Sequence, residues 1–350
     1  MTDFRRVSQL REVVTRVSHP DAFTRLTSEK SAILRDADIE ESAMAAGMSD
    51  IQALIRGFSV ETTPGSAARV DDFAALLPAG TIVNVTQLPG SDLSDTIAVA
   101  KRLRAEGMEP VPHIAARSLS GADELARYLD GLVGEAAVTE VLVIGGGVDR
   151  PAGAFSETMD VLKSGRLEAA GIRKVGVAGH PEGSPDISGA GLAGALKAKN
   201  AWAKDTGIET YIETQFCFDA GAILKWEKTI RAAGNALPIH IGVPGLATLK
   251  TLLKFAQVSG IGPSMRVLTR QTRNIARLLT VQAPDRLLVG LADGIQADPD
   301  CLIRHLHFYP FGGLAKTVDW IDQVQAGAFA LDGRGGFETA PLAPGAAAAS

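Results

Sequence analysis

Short apolar runs rich in β-branched residues recur along the chain from residue 57 onwards. Each run is followed by a polar turn and then by a segment of helical periodicity. The runs are GFSV (57–60), TIVNV (81–85), EPVPHI (109–114), VTEVLVIG (138–145), RKVGVAG (173–179), IETYIET (208–214), LPIHIG (237–242) and HLHFY (305–309). Runs of this length between helical segments are typical of parallel strands whose faces are both covered. The pattern therefore predicts eight strands that alternate with helices.

The segments between these runs place apolar residues at helical spacing, and several end at glycine, as helices commonly do. They include SDTIAVAKRLRAEG, GADELARYLDGLVGEA, ETMDVLKSGRLEAAG, GLAGALKAKNAWAKDTG and DAGAILKWEKTIRAAG. Eight strand–helix units in about 270 residues fit a closed (β/α)8 TIM barrel. A doubly wound α/β sheet is the alternative. However, SVETTPGSA, which follows the first strand, lacks the glycine-rich phosphate turn of that fold.

The two ends of the chain differ from the barrel segment. The first 50 residues are polar and helical in pattern, with SEKSAILRDADIEESAMAAG as an amphipathic helix. We predict an N-terminal helical extension packed on the barrel (1–50), the barrel (51–335) and a tail (336–350) whose APLAPGAAAAS composition predicts disorder. The extension would cap the lower end of the barrel or contribute a contact in a homo-oligomer. The stretch 246–300 is long enough for two or three helices.

Composition narrows the class of protein. The chain is 46% hydrophobic and 21% charged with a net charge of −5, as in ordinary globular proteins. It has no basic block, which argues against a nucleic-acid partner, and no apolar run of membrane-spanning length. Its start, MTDFRRVSQLREVV, lacks the apolar core of a signal peptide. Two cysteines without metal-ligand spacing suit a reducing compartment, so we expect a cytoplasmic protein.

Polar residues follow most of the predicted strands. In a TIM barrel the functional groups collect at the C-terminal ends of the strands, so these residues predict one site at the barrel mouth. They are Glu61, Thr86, Gln87, His113, GGGVDR (145–150), His180, Glu182, Ser184, Asp186, Glu213, Thr214, Gln215, His307 and Tyr309. Glu61 at the rim is favoured as functional, whereas His113 fits a core histidine equally well. A metal site built from His113, His180, His307, Glu61 and Glu213 competes with this interpretation, but we predict no metal.

Several longer motifs follow one another in the order of a known family. They are FSVETTP, VNVTQLPGSDLSDTIAVAKRL, EPVPHIAARSLS, VAGHPEGSPD, LKAKNAWAKDTG, ETQFCFD, LPIHIGVPGLATLKTLLKFAQVSGI and HLHFY. In this order, from about Gly57 to about Trp320, they resemble the methylenetetrahydrofolate reductase family, whose members are flavin-containing TIM barrels. One such motif would be a weak signal, but the ordered set is a specific one.

The resemblance implies an oxidoreductase that interconverts 5,10-methylenetetrahydrofolate and 5-methyltetrahydrofolate. Hydride would pass through FAD, with NADH or NADPH as co-substrate and tetrahydrofolate derivatives as ligands. The resemblance makes Glu61 the acid that opens the imidazolidine ring, and partial desolvation would raise its pKa. It assigns Gln215 and Phe216, with Glu61, to folate. It assigns to the flavin Thr86, His113, Gly145, Gly146, Gly147, His180, Glu182, Ser184, Lys199 and Tyr309.

Departures from the family pattern concentrate on the flavin side. The Arg-Gly-Asp that ends the family's fourth strand is Gly145–Gly147 here, a tyrosine of the next loop is His180, and a later histidine is Ser184. Two alternatives follow: the same reaction by direct hydride transfer without flavin, or a non-catalytic folate-binding barrel. Glu61 and Gln215 are retained, which favours a working folate site.

Overall fold

The computed structural model describes residues 46–258 and 278–340 of the protein. Its central feature is a closed barrel of eight parallel strands, in the order β1-β8-β7-β6-β5-β4-β3-β2. These strands are β1 (Ser59–Thr62), β2 (Ile82–Val85), β3 (Glu109–Ala115), β4 (Glu140–Ile144), β5 (Lys174–Gly179), β6 (Glu209–Phe216), β7 (Ile239–Pro244) and β8 (Ile303–Tyr309). The predicted TIM barrel is confirmed, and every apolar run overlaps one strand.

Helices follow the strands and cover the outside of the barrel. They are α1 (Met48–Ile55), α2 (Pro64–Ala67), α3 (Leu93–Ala105), α4 (Ala122–Ala136), α5 (Thr158–Leu162), α6 (Arg166–Ala169), α7 (Gly189–Thr206), α8 (Ala220–Ala232), α9 (Leu249–Val258), α10 (Asp285–Gln296) and α11 (Leu314–Gln325). The segment predicted as one helix between β4 and β5 is two, because Gly165 has a φ of +68°. That left-handed conformation interrupts the helical path. Of the helices predicted within 246–300, α9 and α10 are present, and 259–277 lies outside the described residues.

The N-terminal boundary of the barrel unit is marked by α1. Ile51 and Ile55 of this helix are fully buried, and the Gln52 side-chain amide donates to the carbonyl of Gln325 at 2.8 Å. The predicted boundary after residue 50 therefore falls inside a helix. The described residues from Ala46 onwards form one compact unit, and residues 1–45 lie outside the described part of the chain.

The C-terminal boundary lies later than predicted. The strands β9 (Phe329–Leu331) and β10 (Phe337–Thr339) form an antiparallel hairpin. The Phe337 ring stacks on Trp320 with centroids 5.6 Å apart, and this apolar contact orders the chain past residue 335. The prediction that a disordered tail starts at residue 336 is therefore wrong for β10, and residues 341–350 lie outside the described residues.

The barrel interior carries polar side chains because the strands alternate. In β1, Ser59 and Glu61 lie on one face and Val60 on the other. The strand register places Ser59 opposite His307 on β8 and Glu61 opposite Asn84 on β2. All four are buried, so the register brings titratable groups together inside the barrel. Within the described residues, no helix is both long and apolar enough to span a membrane.

Candidate active site

Glu61, near the C-terminal end of β1, is the centre of a buried hydrogen-bonded cluster. Its Oε1 accepts a hydrogen bond from the Thr86 hydroxyl and lies 3.5 Å from His113 Nε2. Its Oε2 lies 2.9 Å from His307 Nε2. Glu61 is only 9% exposed, and His307 is fully buried. The carboxylate therefore has nitrogen or hydroxyl partners on both of its oxygens.

A second buried carboxylate, Glu213 on β6, completes the cluster. Its Oε1 accepts a 2.7 Å hydrogen bond from the Asn84 side-chain amide, and its Oε2 lies 3.8 Å from His307 Nδ1. His307 thus lies between two acids that come from different strands. Because Glu61, His307 and Glu213 are coupled, the protonation state of each one depends on the protonation states of the other two.

The three central groups have shifted pKa values. Burial acts to raise the pKa of Glu61, but His113, His307 and Thr86 outweigh it, so the pKa lies below its usual value. The expectation of a raised pKa at Glu61 is therefore wrong: its hydrogen-bond partners stabilise the ionised form. Burial acts to lower the pKa of His307, yet Glu213 and Glu61 raise it. Burial raises the pKa of Glu213 to about 7.

These three residues also raise the question of a metal ion. One ligand atom from each of Glu61, Glu213 and His307 lies within 4.8 Å of the others. The contacts of Glu61 and Glu213 described above are hydrogen bonds and ion pairs with protein groups. The same three side chains thus make hydrogen bonds and ion pairs with protein groups and also meet the ligand spacing of a metal site.

His113 on β3 is a buried histidine whose ring lacks hydrogen bonds. It is 6% exposed, and within the described residues neither of its ring nitrogens has a hydrogen-bond partner. Burial lowers its pKa, which favours the neutral ring beside Glu61. A neutral imidazole still carries one N–H donor and one acceptor. The resemblance assigns Thr86 and His113 to the flavin, and in the structure both lie against Glu61.

Gln215 lies at a β-bulge near the end of β6. The register of β6 against β7 shifts between Glu213 and Phe216, and Gln215 is exposed. A bulge re-aims the side chain it carries. Gly242 on β7 makes room for it, because a Cβ there would lie 2.5 Å from the Thr214 carbonyl oxygen and 2.6 Å from Gln215. The amide is therefore presented at the same end of the barrel as Glu61.

Phe216 and Tyr309 belong to a partly buried aromatic cluster beside the mouth. The Phe216 ring centroid lies 5.5 Å from that of Tyr309 and 4.7 Å from that of Phe311, both edge-to-face. The Tyr309 hydroxyl donates to the Thr214 carbonyl at 3.2 Å. Phe216 is buried, so the neighbouring aromatic rings fix its side chain in place. Tyr309 connects this cluster to the bulge through its hydrogen bond to Thr214.

Lys199, on α7, is a buried cation behind the end of β5. It is 6% exposed, and its ammonium donates to the carbonyl of Ala178 at 3.0 Å. Burial lowers its pKa to about 8, with Glu157 as an opposing acid. Burial and the Lys199 charge lower the pKa of His180 to about 4. Lys199 is therefore a buried cation with a neutral imidazole nearby, an arrangement that suits an anionic or carbonyl oxygen.

The remaining predicted flavin contacts lie on the lips of β4 and β5. The carbonyls of Gly145 and Gly146 accept from Arg117, and Gly146 has a φ of +89°. A Cβ on Gly147 would meet no atom within 4 Å. Beyond β5, Ser184 accepts from the Asp186 amide, and Glu182 contributes, after burial, to the raised pKa of Cys217. At the end of β4 this side of the mouth presents glycine backbone, which the Arg117 side chain holds through the Gly145 and Gly146 carbonyls.

The sequence interpretation missed part of the cluster. His307 and Glu213 were candidates only as metal ligands or polar strand ends, and Ser59 and Asn84 were not candidates. The sequence does contain a signal for these inward-facing groups: Tyr211 and Glu213 lie two positions apart on β6, as His305 and His307 do on β8. Residues of one parity share one face of a strand, so the same pattern that predicts the barrel also points these groups inward.

The sequence of the chain matches the model of a known protein family. The model of the methylenetetrahydrofolate reductase family matches residues 67–270, which is more than half of the 350-residue chain. The chain belongs to the methylenetetrahydrofolate reductase family. The matched span begins after β1 and ends before β8, so it contains Gln215 and Lys199 but neither Glu61 nor His307. The roles of those two residues rest on the geometry described above and on the resemblance of their motifs.

Solved structures of similar fold are distant in sequence. An uncharacterized protein from Clostridium thermocellum that binds two copies of 5-methyl-5,6,7,8-tetrahydrofolic acid matches with a TM-score of 0.50 and 10% identity, over 77% of this chain and 96% of its own. A family GH18 chitinase from Chromobacterium violaceum matches with a TM-score of 0.40 and 10% identity, over 77% and 83%. At such identities the likeness concerns the fold alone.

Proposed function

We propose that this protein is a folate-dependent one-carbon oxidoreductase that interconverts 5,10-methylenetetrahydrofolate and 5-methyltetrahydrofolate with NADH or NADPH. The observation that carries the proposal is the Glu61–His307–Glu213 cluster at the barrel mouth of a member of this family. A folate ligand in the Clostridium thermocellum barrel is consistent with it. Such a reaction needs one acid–base group and a cleft for flat rings, and both have candidates here.

The Glu61–His307 pair is the proposed acid–base group. Reduction of the methylene bridge consumes one proton for each hydride, because a folate ring nitrogen must be protonated for the five-membered ring to open. The lowered pKa of Glu61 means that its carboxylate is ionised at neutral pH, and His307, with a raised pKa, holds the proton 2.9 Å away. Glu61 takes that proton from His307 and passes it to the folate nitrogen, which leaves the Glu61 carboxylate ionised and His307 one proton short.

Gln215 and the aromatic cluster are proposed to position the folate. A side-chain amide donates and accepts at once, which matches the paired donor and acceptor edge of a pterin. The bulge exposes Gln215, and the Tyr309–Thr214 hydrogen bond holds that bulge in place. Phe216 supports this arrangement from beneath through its edge-to-face contacts. Orientation of this kind lowers the entropic cost of reaching the transition state.

The residues on the β4 and β5 side fit a flavin. Lys199 is a buried ammonium that uses one of its three donors on Ala178, and the Gly147 lip is open, so a phosphate or carbonyl oxygen and a flat ring could be accommodated. Lys199, His180 and the backbone of Gly145–Gly147 would hold the group, with Glu182 and Ser184 on the adjoining loop. When bound, FAD would supply the hydride carrier between nicotinamide and folate.

Two other functions remain as alternatives. Direct hydride transfer from NAD(P)H to folate is favoured by the bare Gly145–Gly147 lip, which lacks the Arg and Asp side chains that the resemblance leads one to expect. A non-catalytic folate-binding barrel is disfavoured by the buried Glu61–His307 pair. Burial of charged groups costs stability, and a merely binding site has no need of a proton donor.

Two measurements on one preparation test the proposal. The purified protein should absorb near 450 nm and should oxidise 5-methyltetrahydrofolate when an artificial electron acceptor is present. A colourless protein that is active with NAD(P)H would support direct hydride transfer. A protein that binds 5-methyltetrahydrofolate but never converts it, in either direction and with FAD added, would contradict the proposed activity.

A further inference from the structure

A continuous line of hydrogen bonds leaves Glu61 and runs down the inside of the barrel. Glu61 Oε2 lies 2.9 Å from His307 Nε2, and His307 Nδ1 lies 2.8 Å from the Ser59 hydroxyl. The same hydroxyl lies 2.8 Å from His305 Nε2. His307 and Ser59 are 0% and 1% exposed. Every link has normal hydrogen-bond geometry, and every member can both give and take a proton.

The lower end of this line reaches a less buried, titratable region. His305 is partly exposed and lies two residues from the start of β8, at the end of the barrel opposite the mouth. Its ring centroid is 4.4 Å from that of His240, which stacks on Tyr211 at 4.0 Å. Lys174 lies 5.1 Å from the Tyr211 ring centroid, at the first position of β5.

We propose that Glu61 exchanges its catalytic proton with solvent at the lower end of the barrel, through His307, Ser59 and His305. This inference rests on the proposed function, because only a proton-consuming reaction needs such a supply. A folate ring and its hydride donor stacked over the mouth would exclude water from that side. A path through the barrel would then replace the proton without opening the mouth.

The proton balance of the path is simple. Before transfer, His305 Nε2–H donates to Ser59, the Ser59 O–H donates to His307 Nδ1, and His307 Nε2–H donates to Glu61. Glu61 is ionised at this point. As a proton passes through Glu61 to the folate nitrogen, His307 Nε2–H supplies it, Ser59 gives one to His307 Nδ1, and His305 Nε2–H gives one to Ser59, so Glu61 is ionised again at the end. His305 takes up a solvent proton on Nδ1, and one proton has entered for the one consumed. Oxidation of 5-methyltetrahydrofolate runs the same steps backwards.

The charged and titratable groups around His305 keep its ring neutral between transfers. They are His240 on β7, Lys174 on β5 and His307 on β8, with the hydroxyl of Ser59 on β1. Burial, followed by His307 and Lys174, lowers the pKa of His305 to about 3. A neutral ring can pass a proton on without storing it, which is what a relay member needs.

The first test does not depend on turnover. The chain has six histidines, so 15N-histidine labelling gives a tractable NMR spectrum in which exchange of the His307 ring N–H with water is measured. In Ser59→Ala the relay loses its hydroxyl, and in His305→Gln the ring is replaced by an amide that can hydrogen-bond but cannot relay. We expect each to slow that exchange about tenfold or more. Ser59→Thr keeps the hydroxyl and should leave the exchange close to wild type.

The second test uses the holoenzyme with its folate. Ser59→Ala and His305→Gln should each slow folate conversion about tenfold and should change its solvent isotope effect. Ser59→Thr keeps the hydroxyl and should convert folate at close to the wild-type rate. Reduction of bound flavin by NAD(P)H serves as the internal reference. Unchanged His307 exchange in both Ser59→Ala and His305→Gln would overturn the relay. A wild-type protein that exchanges through the relay but never converts folate would instead overturn the proposed function.

Discussion

The two sides of the barrel mouth differ in what lines them. On the charged side, β1, β6 and β8 contribute Glu61, Glu213 and His307, which contact one another inside the barrel. On the glycine side, β4 ends in Gly145–Gly147, whose backbone is held by Arg117. Side chains on one face of the mouth supply acid–base groups. The other face supplies space and backbone, with Lys199 as the cation behind it.

This difference separates two tasks that one site must perform. Proton transfer needs groups whose pKa values are set by fixed neighbours, and the charged side has them. Binding of a flat ring needs an open surface, and a Cβ at Gly147 would meet no atom within 4 Å. The changes on the glycine side therefore leave the proton-transfer groups intact. Substitutions on the two sides should affect different properties of the protein.

The largest effect should come from removal of His307. His307→Gln leaves Glu61 and Glu213 buried without the group between them, so the free energy of unfolding should fall by about 3–5 kcal/mol. Chemical denaturation measures it. The raised pKa of His307 means that its contribution is complete below pH 6.5 and is lost as the pH rises through the folded-state value. The difference between wild type and variant should therefore be larger at pH 6 than at pH 9.

In the acid range the free energy of unfolding should change with pH in the opposite direction, because of Glu61. The lowered pKa of Glu61 means that its contribution is present above pH 4.5 and is lost as the pH falls through its folded-state value. Ser184→Ala on the loop after β5 is the control and should change stability by less than about 0.5 kcal/mol. A His307→Gln protein as stable as wild type at every pH would show that His307 does not stabilise the two acids beside it.

The next effect concerns the bulge that carries Gln215. Gly242→Ala places a methyl group 2.5 Å from the Thr214 carbonyl oxygen, so the bulge must shift and stability should fall by about 1–3 kcal/mol. Folate binding, measured by calorimetry, should weaken because the Gln215 amide moves. Gly194→Ala on α7 meets no atom within 4 Å and should keep both properties. Equal folate affinity in Gly242→Ala and wild type would remove Gln215 from the binding site.

Lys199 tests the glycine side. Lys199→Met removes a buried ammonium, so it should raise the free energy of unfolding at neutral pH by about 1–2 kcal/mol and weaken flavin binding. Because the pKa of Lys199 is lowered to about 8, wild-type stability rises from pH 8 towards pH 10.5, and the gap to the variant should narrow there. A variant that retains flavin with unchanged affinity would contradict the role of Lys199.

The smallest effect separates two neighbouring glycines. Gly146→Ala introduces a Cβ at a φ of +89° and 3.2 Å from the Ala115 Cβ, so it should cost about 1 kcal/mol or somewhat more. Gly147→Ala has room and should change stability by less than about 0.5 kcal/mol. Thermal unfolding of both variants measures the difference. Equal losses would mean that the open lip at Gly147 is closed in solution.

The fold was predictable because the strand signal is strong. Eight apolar runs were each bounded by turns and helical segments, and each overlaps a barrel strand. The errors were local. The break between α5 and α6 depends on the left-handed Gly165, and β10 depends on the Phe337–Trp320 contact. Long-range packing of that kind leaves little trace in the local pattern.

The site was predictable in place but not in chemistry. The position of Glu61 at a strand end indicated the mouth, yet its pKa depends on His113 and His307, which come from strands far along the chain. The sign of a pKa shift is the balance of burial and neighbours, and sequence spacing gives neither. The exposure of Gln215 likewise depends on a bulge that only the β6–β7 register defines.

The most direct test of the account compares the two half-reactions of Glu61→Gln with those of wild type. Stopped-flow absorbance would follow reduction of the bound flavin by NAD(P)H, and then its reoxidation by 5,10-methylenetetrahydrofolate. We predict that Glu61→Gln slows the folate step by about 10²–10⁴-fold and leaves the nicotinamide step close to wild type. Equal loss in both steps, or no loss in either, would contradict the assignment of Glu61 as the proton donor to folate.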